Sequence, residues 1–245
     1  MVVELSAKSP LVALLLLGLL VACGSNNSAK PTPDGAATID AEQALSQAVD
    51  QLLALRSAAF TLEHLKGSTV LVPGVLMSKV YGDVVIPGRF RVTVEAETES
   101  PKLYLEISIV TIDDTAYMTD IFSGKWNQIP KESLPFDLSG LGQTLADVVD
   151  AVEEPRRVGE ERLGGVDTVR IAGKIASEDL SGLVPGAGEG YPVRLELWLD
   201  DEGLLRQVAI SGRVVPTDDE ITERLLTLDD INQPVQITPP SGFAG

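Results

Sequence analysis

Past Phe60 the hydrophobic period of this chain falls from three-to-four residues to two, and that change limits the fold more than any other feature. Phe60-Thr61-Leu62-Glu63 alternates apolar and polar, and so do Phe90 to Ala96 and Leu103 to Ile109. Successive side chains of a strand point to opposite faces, so the alternation marks antiparallel strands with one dry face and one wet face. Gly82 to Ile86 is an apolar run stopped by Pro87-Gly88. Asp113-Asp114, Gly164-Gly165 and Asp201-Glu202-Gly203 stand where hairpins must turn. Further strands are expected at Thr115–Thr119, Val166–Ala172, Val193–Leu199, Leu204–Ile210, Ile221–Leu228 and Val235–Ile237. Two helices interrupt the pattern. Ile39 to Leu55 carries Ala41, Ala44, Leu45, Ala48, Val49, Leu52 and Leu55 on one side, with Asp40 and Gln43 spaced as a capping box. Gly140 to Val152 brings Leu141, Leu145, Val148, Val149 and Val152 to one face. Two helices and about ten antiparallel strands, with no βαβ rhythm and no internal repeat, make one α+β domain.

The chain begins differently. Leu11 to Cys23 is an apolar run too short to span a bilayer as a helix, which takes about 20 residues. It has the length of the apolar region of a secretory signal, with Lys8 as its positive flank. Leu20-Val21-Ala22-Cys23 followed by Gly24-Ser25 resembles the lipobox of bacterial lipoproteins. That resemblance implies a signal peptide over residues 1–22 and a diacylglycerol thioether on Cys23. It places the mature protein on the extracytoplasmic face of the cell membrane, lipid-anchored. Residues 23–38, rich in Ser, Asn, Pro and Gly, read as a flexible tether, and residues 39–245 as the single domain. Cys23 is the sole cysteine of 245 residues. With it acylated, no disulfide can form, and the domain relies on its core.

Composition excludes several functions. A net charge of −17 repels phosphate backbones and argues against nucleic acid as a partner. It also opposes adhesion to an anionic bilayer, so the lipid must hold the protein there. His64 is the only histidine, which leaves no Ser-His-Asp arrangement with a motif around it and no zinc set. Asp113-Asp114, Asp200-Asp201-Glu202 and Asp218-Asp219-Glu220 lack the spacing of a calcium loop and sit at expected turns. Gly186-Ala187-Gly188-Glu189-Gly190 is followed by Tyr191-Pro192 instead of a helix, and Glu189 is the wrong charge for a phosphate loop. The expectation is a monomeric non-enzyme with no metal and no cofactor. Its remaining asset is aliphatic surface: 44% of residues are hydrophobic but only 4% aromatic.

From the lipobox to the end, the chain resembles the LppX/LprA/LprF/LprG lipoproteins, a LolA-like group of envelope lipid carriers. The resemblance rests on the order of several pieces. They are the Ala-rich helix before Phe60-Thr61-Leu62, then Gly82 to Pro87, and Ala116-Tyr117-Met118-Thr119 before Lys125-Trp126. Gly165 to Gly173, Leu197-Trp198-Leu199-Asp200 and Pro234 to Pro240 follow. Pro73–Lys79 and Gly182–Gly190 match less well. The family implies a strongly curved antiparallel half-barrel with helices on its concave face. It also implies an apolar cavity for the acyl chains of a lipid or glycolipid, and work beside a membrane exporter. The residues assigned to that cavity are Val84, Ile86, Phe90, Val92, Val94, Leu103, Leu105, Ile107, Leu141, Leu145, Val148 and Val149. The alternative is a protein-binding or sensor lipoprotein whose core is merely full.

Overall fold

The computed structural model of the chain describes residues 40–121, 123–134 and 136–241. The expected signal peptide, Cys23 and tether lie outside the described residues. Helix α1 (Ala41–Leu53) leads into strands β1 (Ser57–Lys66), β2 (Thr69–Val72), β3 (Val75–Val85), β4 (Arg89–Thr98), β5 (Tyr104–Ile112), β6 (Thr115–Thr119) and β7 (Trp126–Pro130). After helix α2 (Leu141–Asp150) come β8 (Glu153–Leu163), β9 (Val166–Ala176), β10 (Pro192–Asp200), β11 (Leu205–Ser211) and β12 (Glu223–Asp229).

All twelve strands join one antiparallel sheet in the order β7-β6-β5-β4-β3-β1-β12-β11-β10-β9-β8, with β2 added to the end of β3. Two meanders, β1 to β7 and β8 to β12, are stitched together where the first strand pairs with the last. The sheet does not close. It is the curved half-barrel expected, and α1 and α2 bury their apolar sides in the same cluster as the concave face of the strands. Curling at this tightness uses a glycine. A Cβ on Gly82 would lie 1.9 Å from the carbonyl oxygen of Arg91 on the neighbouring strand, so no side chain is possible there.

Register turns the alternation into rows. Ala58, Val84, Phe90, Thr111 and Ala116 stand side by side across five strands. Phe60, Gly82, Val92, Ile109 and Met118 form the next row, and Leu62, Val80, Val94 and Ile107 the third. On the other meander, Leu62 continues into Leu226, Val208, Leu197 and Ile171.

Several expectations are corrected. The first helix stops at Leu53 and begins at Ala41. Asp40 occupies its N-cap, but the exposed carboxylate makes no capping hydrogen bond. Of the expected run Gly82–Ile86, Gly82–Val85 is only the end of an eleven-residue strand, and Ile86 lies beyond it. β2 and β7 were not expected, because Thr69-Val70-Leu71-Val72 and Trp126-Asn127-Gln128-Ile129-Pro130 do not alternate. Val235–Ile237 joins no ladder. Pro234, Pro239 and Pro240 around it lack the N–H that a strand must donate, although Ile237 is buried.

Candidate functional site

The concave face closes at one end and opens at the other. At the first end, the row Ala58, Val84, Phe90, Thr111 and Ala116 is entirely sealed. The segment after β7 crosses above it. Leu134, Phe136 and Leu138 pack onto the cluster, with the Phe136 ring 6.1 Å from that of Phe90. Helix α2 follows immediately, and Gly142 in its first turn is there for contact. A Cβ on Gly142 would come within 2.5 Å of the Leu52 carbonyl oxygen and 3.2 Å of the Leu55 side chain. In the second row Phe60, Val92 and Ile109 are buried, while Gly82 and Met118 are half-buried. In the third row Leu62, Val80 and Ile107 are only half-buried, as are Met77 and Leu105 one step further. Beyond them the rim is bare: Leu71, Val72, Leu103 and Tyr104 are all exposed. The half-barrel is therefore an apolar space stoppered at the Phe90 end and unroofed at the Leu103 end of its first meander.

Of the twelve residues assigned to the cavity, Val84, Phe90, Val92, Val94, Leu141, Leu145, Val148 and Val149 belong to the buried cluster. Ile86 and Ile107 pack against it, half-buried. Leu105 is half-buried beside Ala96. Leu103 is the exception: it precedes β5 and is 54% exposed, because the turn closed by Thr98 N–H to the Leu103 carbonyl lifts it out of the sheet. Two surface clefts lie near the stoppered end. One, of about 370 Å³, is lined by Lys131, Glu132, Leu134, Phe136 and Asp137; the other, of about 290 Å³, by Val85, Arg89 and Val235 to Thr238. None of the twelve lines either cleft. Val84, Phe90 and Val92 have no accessible surface at all, so the interior is packed at the stoppered end.

One polar group in this face was not foreseen. Arg224 shares the concave face of β12 with Leu226 and Leu228, next to His64 on β1. Its guanidinium is fully buried and forms an ion pair with Asp218 at 2.5 Å, itself fully buried. Asp218 also accepts from the backbone of Val214 and Val215, both at 3.0 Å. The acidic triplet expected only to turn the chain thus sends its first member inward. Arg224 Nη2 also donates to Thr69 Oγ1 (2.6 Å), and Thr69 lies 2.9 Å from His64 Nε2. His64 Nδ1 faces the Ser78 carbonyl at 3.3 Å. Arginine only donates and a carbonyl only accepts, so Arg224 donates to Thr69 and His64 Nδ1–H donates to the Ser78 carbonyl; in the neutral ring Nε2 is then the acceptor left for the Thr69 hydroxyl. The imidazole is neutral in that relay. Burial, followed by the Arg224 charge, holds its pKa below the ordinary value. His64 is thus a structural link at the border of the open rows. No grouping of acidic, histidine or cysteine residues among those described could hold a metal ion.

These features define a class of protein: an open antiparallel half-barrel with two helices seated in its concave side. Within that class, the family model described as LppX_LprAFG lipoprotein matches residues 40–237, and the chain belongs to that family. The lipoarabinomannan carrier protein LprG of Mycobacterium tuberculosis (strain ATCC 25618 / H37Rv) is 26% identical over 247 residues, covering 94% of this chain and 93% of the relative. The protein of that name in Mycobacterium leprae (strain TN) is 24% identical over 232 residues, covering 89% and 87%. Among solved structures, LprF from Mycobacterium bovis is similar with a TM-score of 0.64 and 22% identity, covering 82% of this chain and 97% of that one. The lipoprotein LppX of Mycobacterium tuberculosis is similar with a TM-score of 0.53 and 16% identity, covering 80% and 96%. The half-barrel is the fold of these structures.

Proposed function

We propose that this protein is an envelope lipoprotein that carries a lipid or glycolipid. It is held on the extracytoplasmic face of the cell membrane by acyl groups on Cys23. The acyl chains of the cargo enter the concave apolar space from the Leu103 end and lodge between the sheet and the two helices. The cargo passes between the membrane or an exporter and the outer envelope without covalent chemistry. The observation that carries this reading is the burial gradient down the concave face: a sealed row at Phe90, and half-buried apolar rows that face an uncovered end. A core that is merely full has no reason to leave Leu62, Met77, Val80 and Ile107 partly bare in one continuous strip. The name carried by the LprG relatives supports the same reading.

Each buried methylene contributes about 0.8 kcal/mol, so two long chains offset the separation of packed side chains that their entry requires. The polar head stays at the rim, where the charged residues are. Solvent extraction of the full chain purified from its own envelope, followed by mass spectrometry, tests the reading. Stoichiometric non-covalent acyl lipid is expected; protein that carries none, and takes up none from mixed vesicles, would remove the proposal. The anchor is tested separately. Cys23→Ala is expected to release the protein from sedimenting membranes, and sedimentation like wild type would refute the acylation.

A further inference from the structure

Arg224 holds more hydrogen-bonding capacity than its surroundings use. Both protons of Nη2 are taken, by Thr69 and Asp218. Nε and Nη1 have no partner although the residue is fully buried, which leaves three N–H groups of a cation unmatched. The second oxygen of Asp218, Oδ1, and the hydroxyl of Thr222 are also buried and unpartnered. Folded proteins leave few such groups unmatched, and here four atoms gather on one ion pair and the residue next to its strand. Their position matters as much as their number. Arg224 stands one residue inside the start of β12, on the concave face, with Leu226 and Leu228 behind it toward the sealed end. Two residues of strand advance about 6.6 Å, so the apolar interior begins one step behind the guanidinium. Its row neighbour His64 is half-buried and borders the open end.

We propose that Arg224, with Asp218 behind it, is a binding site for the ester linkage of an acyl lipid, its free N–H groups receiving the ester carbonyl oxygen. This rests on the carrier reading above and names a substrate class for it: ester-linked rather than ether-linked or purely hydrocarbon chains. Charge selects the ligand. Asp218 already balances Arg224, and His64 is neutral in the hydrogen-bond relay. A phosphate or carboxylate would therefore bring an uncompensated charge into the interior, whereas a carbonyl brings lone pairs without charge. An ester is also the group that sits where acyl chains meet the polar part of a lipid. A site one step from the apolar rows, with the rim beyond it, holds that junction while the chains run toward Phe90 and the head stays outside.

The test loads the full chain with an equimolar mixture of 1,2-dipalmitoylglycerol and 1,2-di-O-hexadecylglycerol, matched in chain length but differing in the carbonyls, and reads both by native mass spectrometry. Wild type is expected to favour the ester by about tenfold or more, since a hydrogen bond to a buried charge is lost with the ether. The pair Arg224→Met with Asp218→Asn removes both charges together and keeps an acceptor for Val214 and Val215. It is expected to bind both lipids and to lose the preference. Equal uptake by wild type would mean that water alone fills the site, and would overturn this inference while the carrier reading stood. A preference undiminished in the double variant would place ester recognition elsewhere and overturn it as well. Uptake of neither lipid by wild type would remove the carrier reading, and this inference with it. Should the double variant not fold, nitrogen-15 spectra of wild type decide. One arginine Nε–H resonance is expected to move with the ester and not with the ether, and a spectrum unmoved by either loaded lipid overturns the site.

Discussion

The two ends of the concave face are built from the same strands, and they differ in everything but pattern. Along β4 and β5, Phe90, Val92, Ile107 and Leu105 obey one alternation and face one side. Phe90 is sealed and Leu105 is half-open. The cause lies outside the strands. Leu134, Phe136 and Leu138 pack onto the cluster at the Phe90 row, while Leu105 and Ile107 toward the Leu103 end stay half-buried. Hydrophobic period fixes which face a residue takes, and coverage by other elements fixes its depth. Under the proposed carrier function the distinction matters: the covered end would supply stability and the uncovered end would admit the cargo.

The sharpest way to break this comparison is to truncate each end in turn. Phe90→Ala removes a fully buried ring against Phe136 and is expected to cost about 3–5 kcal/mol in denaturant unfolding. Leu103→Ala at the rim is expected to cost less than about 0.5 kcal/mol. Equal costs would mean that the ends are not different in kind. Adding bulk sharpens the same point. Val92→Trp enters the sealed part of the second row and is expected to destabilise by about 1–3 kcal/mol through overpacking. Ile107→Trp, in a half-buried row, is expected to shift stability by less than about 1 kcal/mol while sharply lowering the lipid recovered per protein. If Ile107→Trp leaves lipid occupancy untouched, the open end is not the route of entry.

What the sequence made legible follows the same division. The antiparallel class, the two helices and eight buried residues of the concave cluster could be read, because period two and period 3.6 report on faces directly. Leu103 was misplaced because alternation continues past the end of a strand, and nothing local says where the ladder stops. The strand β2 was missed because it adds to the tail of β3 without an alternating face of its own. Arg224 could not have been found from pattern alone. Glu223-Arg224-Leu225-Leu226 reads as a charged strand start, and only the β11–β12 connection folding Asp218 back over it buries the cation. The one available signal was that Arg224 falls on the apolar parity of Leu226 and Leu228.

The smallest expected effect concerns pH, and it belongs to the open end alone. His64 has a folded pKa below its unfolded value of 6.5, first because it is buried and then because Arg224 is near. The unfolded chain therefore binds the extra proton more readily than the folded one as pH falls through that window. Stability is full above the unfolded pKa and declines as pH drops toward the folded pKa. Geometry gives the same sign, since a protonated Nε2 can no longer accept the Thr69 hydroxyl. The carboxylates held low by hydrogen bonds, Glu154 by Lys174 and Glu178 by the Gly190 N–H, act in the same direction only below their ordinary value of 4.5. Between pH 7 and pH 5 the histidine is thus expected to dominate the slope. His64→Gln keeps an acceptor for Thr69 and a donor for Ser78 but carries no titrating ring, so its melting temperature is expected to stay nearly flat over that range while wild type falls by a small, measurable amount. Parallel slopes in the two proteins would show that the relay does not feel the proton, and that the open end is held by its apolar contacts alone.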